Sequence, residues 1–299
     1  MKTLIFLLLI SLQIVASPEL LRMQAQAKRV TIYRDRFGVP HIYGKSDADA
    51  VFGMLYAQCE DDFSRVERNY IEKLGRMSEV KGEKELAYDL YIKLLIDEKE
   101  AKEEFKTSPV WLKKLLQAYA DGINFYLQKH PEVKPRLITH FEPWFPLLWT
   151  DGSIGAISTS DVTEQETALF YGITPRLASL KYAIPDEQLT GSNGFAVGPS
   201  LSKSGHSMLY INPHVTFYFR PEVHVVSEEG LSVYGAVTWG QFFVYQGFNP
   251  YNGWMHTSSE VDVADAYYET TRDNQGTMEY LLDGKWKPFQ TKIITLGAR

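Results

Sequence analysis

Cysteine is almost missing from this chain: Cys59 is the only one in 299 residues. One thiol cannot close an intrachain disulfide, so oxidative cross-linking does not hold this fold together. An excess of positive charge is missing too. The net charge is −6, which argues against the basic face that a nucleic-acid partner requires. No apolar run reaches the ~20 residues of a membrane-spanning helix, and no internal repeat or low-complexity tract breaks the chain. The run that comes nearest, Leu4 to Ile10 behind Lys2, has the charged start and short apolar stretch of an export leader. Ala25-Gln26-Ala27 offers the small-x-small cleavage pattern, with Ala16 as an earlier alternative. Residues 1–27 are therefore expected to be a signal peptide, and the protein periplasmic or secreted, with no stable membrane span.

What is present divides in two. Val30 to Arg34 and Pro40 to Tyr43 read as strands around the turn Asp35-Arg36-Phe37-Gly38. His41 lies in an apolar setting with no partner nearby in the sequence. Ser46-Asp47 caps a long helix running to about Leu74, with Val51, Leu55, Cys59, Phe63 and Val66 on one face. That spacing makes Cys59 a core residue, and Glu60-Asp61-Asp62 a solvated surface. Glu83 to Phe105 and Pro109 to Lys129 read as two further helices, and Asp151 to Gly172 as a resumed one. The Trp144–Trp149 aromatics pack a loop or edge an apolar pocket. Residues 28–175 thus form a mainly helical region and 176–191 an exposed connector. From 192 to 299 the runs are β-rich: Phe195 to Val197, Met208 to Ile211, Val223 to Val226, Leu231 to Thr238, Phe242 to Tyr245, Ala266 to Thr271 and Met278 to Leu282. Helices first and strands afterwards give an α+β class.

The switch falls at Gly191-Ser192. Gly191 can take backbone angles closed to other residues. Were the bond before Ser192 cut, one residue would carry both a hydroxyl and an α-amine. An α-amine has a pKa of about 7.7–8.0, close enough to neutral to act as base for its own hydroxyl. A Ser-His-carboxylate triad is the alternative activation; seven histidines allow it, but no spacing selects a pair.

Taken in order, several motifs resemble the penicillin acylase family of N-terminal nucleophile hydrolases. They are Arg34-Asp35-Arg36-Phe37-Gly38-Val39-Pro40-His41-Ile42, Leu74-Gly75-Arg76-Met77-Ser78-Glu79, Gly191-Ser192-Asn193, Asn212-Pro213-His214, and Gly253-Trp254-Met255-His256-Thr257-Ser258 ahead of Asp262-Val263-Ala264-Asp265. The resemblance runs from about residue 29 to the end. It implies an αββα sandwich with Ser192 opening a central strand, self-cleavage between Gly191 and Ser192, and an α/β heterodimer made from one precursor. The implied reaction is hydrolysis of a small-molecule N-acyl amide, either an acyl-homoserine lactone or a penicillin-like compound. His214, the twenty-third residue counted from Ser192, resembles the histidine of the acyl-homoserine lactone acylases, where penicillin G acylases carry glutamine; it would hold amine and hydroxyl in register. The Ser258 amide would give one oxyanion donor, and His256 would order that turn. Val215 and Phe248 would line the acyl pocket, with Trp254 beside them.

The resemblance also implies a structural calcium on Asp262, the Ala264 carbonyl, Asp265 and an acidic residue from the first half, Glu164 with Glu166 and Asp161 as alternatives, hard oxygen donors of the kind calcium takes. Family members extend several hundred residues past their nucleophile, whereas 107 follow Ser192 here. The asparagine that completes the family's oxyanion hole, and a nearby arginine, would lie beyond Arg299. The sandwich is accordingly expected to be incomplete and the chain truncated. A catalytically inactive exported relative or binding remnant is the competing reading.

Overall fold

The computed structural model describes residues 17–148, 163–173, 191–214, 220–257 and 267–299. Ser46 caps the longest helix, α2 (Asp47–Lys73), its hydroxyl accepting the Asp49 amide at 3.1 Å. Its apolar stripe is buried as the spacing predicts: Val51, Leu55, Cys59, Phe63 and Val66 are all at most 6% exposed. Burial pushes the Cys59 thiol well above its ordinary value. That thiol is a packing group, not a nucleophile. The helix breaks its own dihedral pattern at Asp62 (φ −160°, ψ 75°), whose carboxylate accepts the Arg65 amide and restarts the next turn.

Against α2 lies a six-stranded sheet in the order β1 (Val30–Arg34), β2 (Pro40–Gly44), β5 (Glu222–Ser227), β6 (Ser232–Ala236), β7 (Gln246–Phe248) and β8 (Gly253–Trp254). All neighbours are antiparallel except β2 and β5, which run parallel with His41 opposite His224. Alternation along the strands sends Ile42, Val223, Val225 and Val233 into the core. The opposite face carries Tyr33, His41, Tyr43, His224, Tyr234 and Phe248, several of them exposed. His41 has a nearby partner after all, which corrects the sequence expectation: its Nε2 is 3.4 Å from Asp35, six residues before it, and its Nδ1 is 2.9 Å from His224 Nδ1, 183 residues away. Burial, then the neighbouring His41, pulls His224 below the ordinary histidine range.

Of the remaining helices, α1 (Pro18–Ala27), α4 (Leu86–Leu95) and α6 (Val110–Lys129) contact α2, α7 (Glu164–Tyr171) packs on α4, and α3 (Ser78–Lys81) and α5 (Glu98–Thr107) lie before and after α4 in the chain. The helix expected over Glu83 to Phe105 is two helices. Ile96 turns extended, and Asp97 caps the next helix through the Lys99 amide at 2.8 Å. Of the run Asp151 to Gly172, residues 151–162 lie outside the described residues, and a capping box at Thr163 and Glu166 starts α7. Phe242 to Tyr245 is not a strand. Val244 and Tyr245 are buried there by packing, and the ladder resumes only at Gln246. Helix α1 covers residues placed inside the expected leader. Its Arg22 forms a two-pronged ion pair with Asp121, whose carboxylate is 1% exposed, and Met23 is buried. A leader ending at Ala16 leaves that pair intact, and one ending at Ala27 removes it.

The other β elements are a hairpin of β3 (Ser192–Val197) and β4 (Met208–Pro213), and a meander of β9 (Thr271–Asn274), β10 (Thr277–Leu282) and β11 (Lys285–Pro288). The α+β class holds. Ser192 opens β3, which among the described residues pairs with β4.

Helices α2 and α6 meet at Gly122, where a Cβ would stand 2.5 Å from the Phe52 carbonyl oxygen and 3.1 Å from Leu55 Cβ. Backbone cannot yield as a side-chain tip can. Gly122→Ala is expected to lower stability by about 1–3 kcal/mol, the scale of overpacking a close-packed interior, in chemical denaturation. An unchanged midpoint would show that the two helices do not touch there.

Candidate active site

The β3–β4 hairpin puts the sequence motifs side by side. Antiparallel register sets Ser192 opposite Pro213 and Asn193 opposite Asn212. His214, one step beyond, reaches Asn193: the amide Nδ2 donates to His214 Nε2 at 3.2 Å. The His214 amide points back to the Gly191 carbonyl at 3.4 Å. Gly191 has φ +114°, in the region that favours glycine. The Ser192 hydroxyl donates to the Gly191 carbonyl oxygen at 2.7 Å. It therefore lies beside the carbonyl of the bond preceding its own nitrogen.

A second segment closes on this one from the end of the large sheet. Gly235 and Gly247 let β6 and β7 approach too closely for any side chain, and the Asn249 carboxamide accepts the Tyr251 and Asn252 amides at 2.8 Å to turn the chain into β8. After β8, Met255 lies against Gly194, where a Cβ would collide with its sulfur. Thr257 then meets Ser192 twice. Its Oγ1 accepts the Ser192 amide at 3.0 Å and donates to the Ser192 carbonyl at 3.0 Å.

Gly191, Ser192, Asn193, His214 and Thr257 thus form one cluster at the start of β3, with the Ser192 hydroxyl set against the Gly191 carbonyl. A family model described as penicillin amidase matches residues 29–299. The chain belongs to the penicillin amidase family. It is 22% identical over 319 residues to the acyl-homoserine lactone acylase QuiP of Pseudomonas fluorescens Pf-5, covering 91% of this chain and 39% of that one. It is 27% identical over 296 residues to the acyl-homoserine lactone acylase PvdQ of Pseudomonas savastanoi pv. phaseolicola, covering 87% and 37%. The chain thus spans about two-fifths of the length of these curated relatives. Among solved structures, a thermostable penicillin G acylase from Alcaligenes faecalis matches with a TM-score of 0.40 at 20% identity, over 47% of this chain and 79% of that one.

Other site residues expected from the penicillin amidase resemblance are placed unevenly. Phe248 stands half-exposed on β7, its ring 5.6 Å from that of Tyr234. Trp254 donates its indole N–H to the Tyr245 carbonyl at 3.0 Å. Val215, Ser258, Asp262, Ala264 and Asp265 lie outside the described residues. Of the four calcium ligands expected from the resemblance, only Glu164 is among the described residues, half-buried in the first turn of α7. Among the described residues no group of three or more His, Cys, Asp or Glu side chains could hold a metal ion.

The turn carrying Thr257 has its own support. The His256 ring stacks on Tyr245 with centroids 4.4 Å apart, and the Arg220 guanidinium lies 4.2 Å from the centre of the Tyr245 ring. Gln246 Nε2 donates to the His256 carbonyl at 2.9 Å. Burial, then the Arg220 charge, lowers the His256 pKa. Protonation is therefore harder in the folded state than in the unfolded one, so this group's stabilising effect is complete above about pH 6.5 and is lost as pH falls below it. Relative to His256→Phe, which keeps the stack, the wild type should lose melting temperature as pH drops from 7 to 5. A difference that does not change with pH would contradict the partial burial of His256 against Tyr245 and its neighbouring Arg220 charge.

Proposed function

We propose that this chain carries the nucleophile of an acylase that matures by cutting its own Gly191–Ser192 bond and then hydrolyses N-acyl amides with the Ser192 it exposes. The observation that carries this reading is the Ser192 hydroxyl at 2.7 Å from the Gly191 carbonyl oxygen, at a glycine with φ +114°. In maturation, Ser192 Oγ adds to the Gly191 carbonyl carbon. The bond from that carbon to the Ser192 nitrogen breaks, and the hydroxyl proton ends on the nitrogen. The product is an ester, which water hydrolyses to a Gly191 carboxylate and a Ser192 with free hydroxyl and free amine. In turnover the amine, with a pKa of about 7.7–8.0, takes the hydroxyl proton as Oγ adds to the substrate acyl carbon. The leaving amine departs with a proton, and water releases the acid from the acyl-serine.

His214 is read as an ordering group, because its ring is tied to Asn193, which neighbours the nucleophile. The Ser258 amide is read as an oxyanion donor, with Phe248 and Val215 lining the acyl side. The names of the curated relatives favour acyl-homoserine lactones over penicillin-like amides. Export to the periplasm or beyond, an α/β heterodimer cut from one precursor, and a structural calcium on Glu164, Asp262, the Ala264 carbonyl and Asp265 complete the proposal.

Expression of the full-length protein without added protease should give two fragments, the second beginning at Ser192. Ser192→Ala should leave one uncut chain and lower amine release from an N-acyl homoserine lactone by on the order of 10⁶, the scale seen when a serine hydrolase loses its nucleophile. Equal cleavage in the alanine variant would remove Ser192 from the mechanism.

A further inference from the structure

Ser192 stands opposite Pro213 in a non-hydrogen-bonded pair of the β3–β4 ladder, since the His214 amide bonds the Gly191 carbonyl one step away, so its own N–H and C=O point away from β4. On the side facing the 253–257 segment, Ser192 presents its own N–H and C=O, and one hydroxyl meets both. The Thr257 proton points at the Ser192 carbonyl, 3.0 Å away, so an oxygen lone pair is left for the Ser192 N–H, also at 3.0 Å. That arrangement uses the donor and acceptor capacity of one hydroxyl in opposite directions. The nitrogen it holds is the one that must leave Gly191.

We propose that Thr257 is a catalytic residue of the Gly191–Ser192 cleavage. This rests on the self-cutting reading above and adds a contact at the departing nitrogen. As the bond from the Gly191 carbon to that nitrogen breaks, the nitrogen takes up the Ser192 hydroxyl proton. Thr257 keeps its own proton throughout. What it supplies is a fixed acceptor for the forming amine, while its bond to the Ser192 carbonyl stops the residue from rotating. Once free, the same amine remains against Thr257 Oγ1 and close to the hydroxyl it has to deprotonate. The turn is built to place this one oxygen: Met255 lies on Gly194, His256 stacks on Tyr245, and Gln246 holds the His256 carbonyl.

The test follows cleavage of the full-length protein by mass in four forms: wild type, Ser192→Ala, Thr257→Val and Thr257→Ser. Thr257→Val keeps the branched shape and loses the hydroxyl; it should cut about 10²-fold more slowly, the scale of losing one preorganised hydrogen bond at a reacting centre. Thr257→Ser restores the hydroxyl and should cut within several-fold of wild type, which a merely space-filling threonine would not require. Should Thr257→Val cut at the wild-type rate while Ser192→Ala does not cut, the role of Thr257 is overturned and the self-cutting reading stands. Should Thr257→Ser be as slow as Thr257→Val, the hydroxyl is not the active feature and the proposal fails. A wild type that never cuts at this bond overturns the parent reading, and this one with it.

Discussion

The grip of α2 on the loop after β6 sets the position of everything downstream. Gln58 donates its carboxamide to the Gln241 carbonyl at 3.0 Å and accepts the Gly240 amide at 2.8 Å. Asn69 donates to the Trp239 carbonyl, and the Tyr70 hydroxyl to the Gly240 carbonyl. These groups are buried or half-buried, and a buried backbone group without a partner is costly. The loop therefore has few alternative places to lie. It feeds β7, then β8, then Thr257, and Thr257 reaches Ser192. The site is tied in this way to the longest helix of the first half of the chain.

The site itself is built from polar contacts made across two weakly connected pieces. The β3–β4 hairpin exposes large apolar groups, with Phe195 62% and Tyr210 54% accessible, and a two-stranded ribbon is marginal by itself. What positions it is the 253–257 segment: Met255 against Gly194, Gly253 beside Leu209, and the paired bonds of Thr257. Gly191 takes a positive φ that glycine allows, and its carbonyl is held by the Ser192 hydroxyl and the His214 amide.

Much of this was legible in the sequence. Gly191, Ser192 and His214 stood out as motif residues. The long helix was readable because Val51 to Val66 keeps helical spacing and Ser46 is a good cap. The rest depended on contacts that spacing does not encode. His41 looked solitary because Asp35 reaches it only across the turn at 35–38 and His224 lies 183 residues away. Phe242 to Tyr245 looked like a strand because density of apolar residues does not separate packing from a ladder. The helix break at Asp97 was hidden inside a periodic run, although an aspartate at that point is a capping residue. Thr257 was in view as a letter of the Thr257-Ser258 motif. Its hydroxyl mattered only once a segment 65 residues away was brought against it.

The central claim is that Ser192 attacks the carbonyl of Gly191 and that the chain passes through an ester at that point. Incubating freshly made full-length protein with neutral hydroxylamine measures this directly. Hydroxylamine attacks the ester carbonyl, frees the Ser192 hydroxyl and leaves Gly191 as a hydroxamate. The account predicts faster fragment formation with added hydroxylamine, an N-terminal fragment ending in the Gly191 hydroxamate and a C-terminal fragment beginning at Ser192. Cleavage at this bond that ignores hydroxylamine and yields only the Gly191 carboxylate would contradict it.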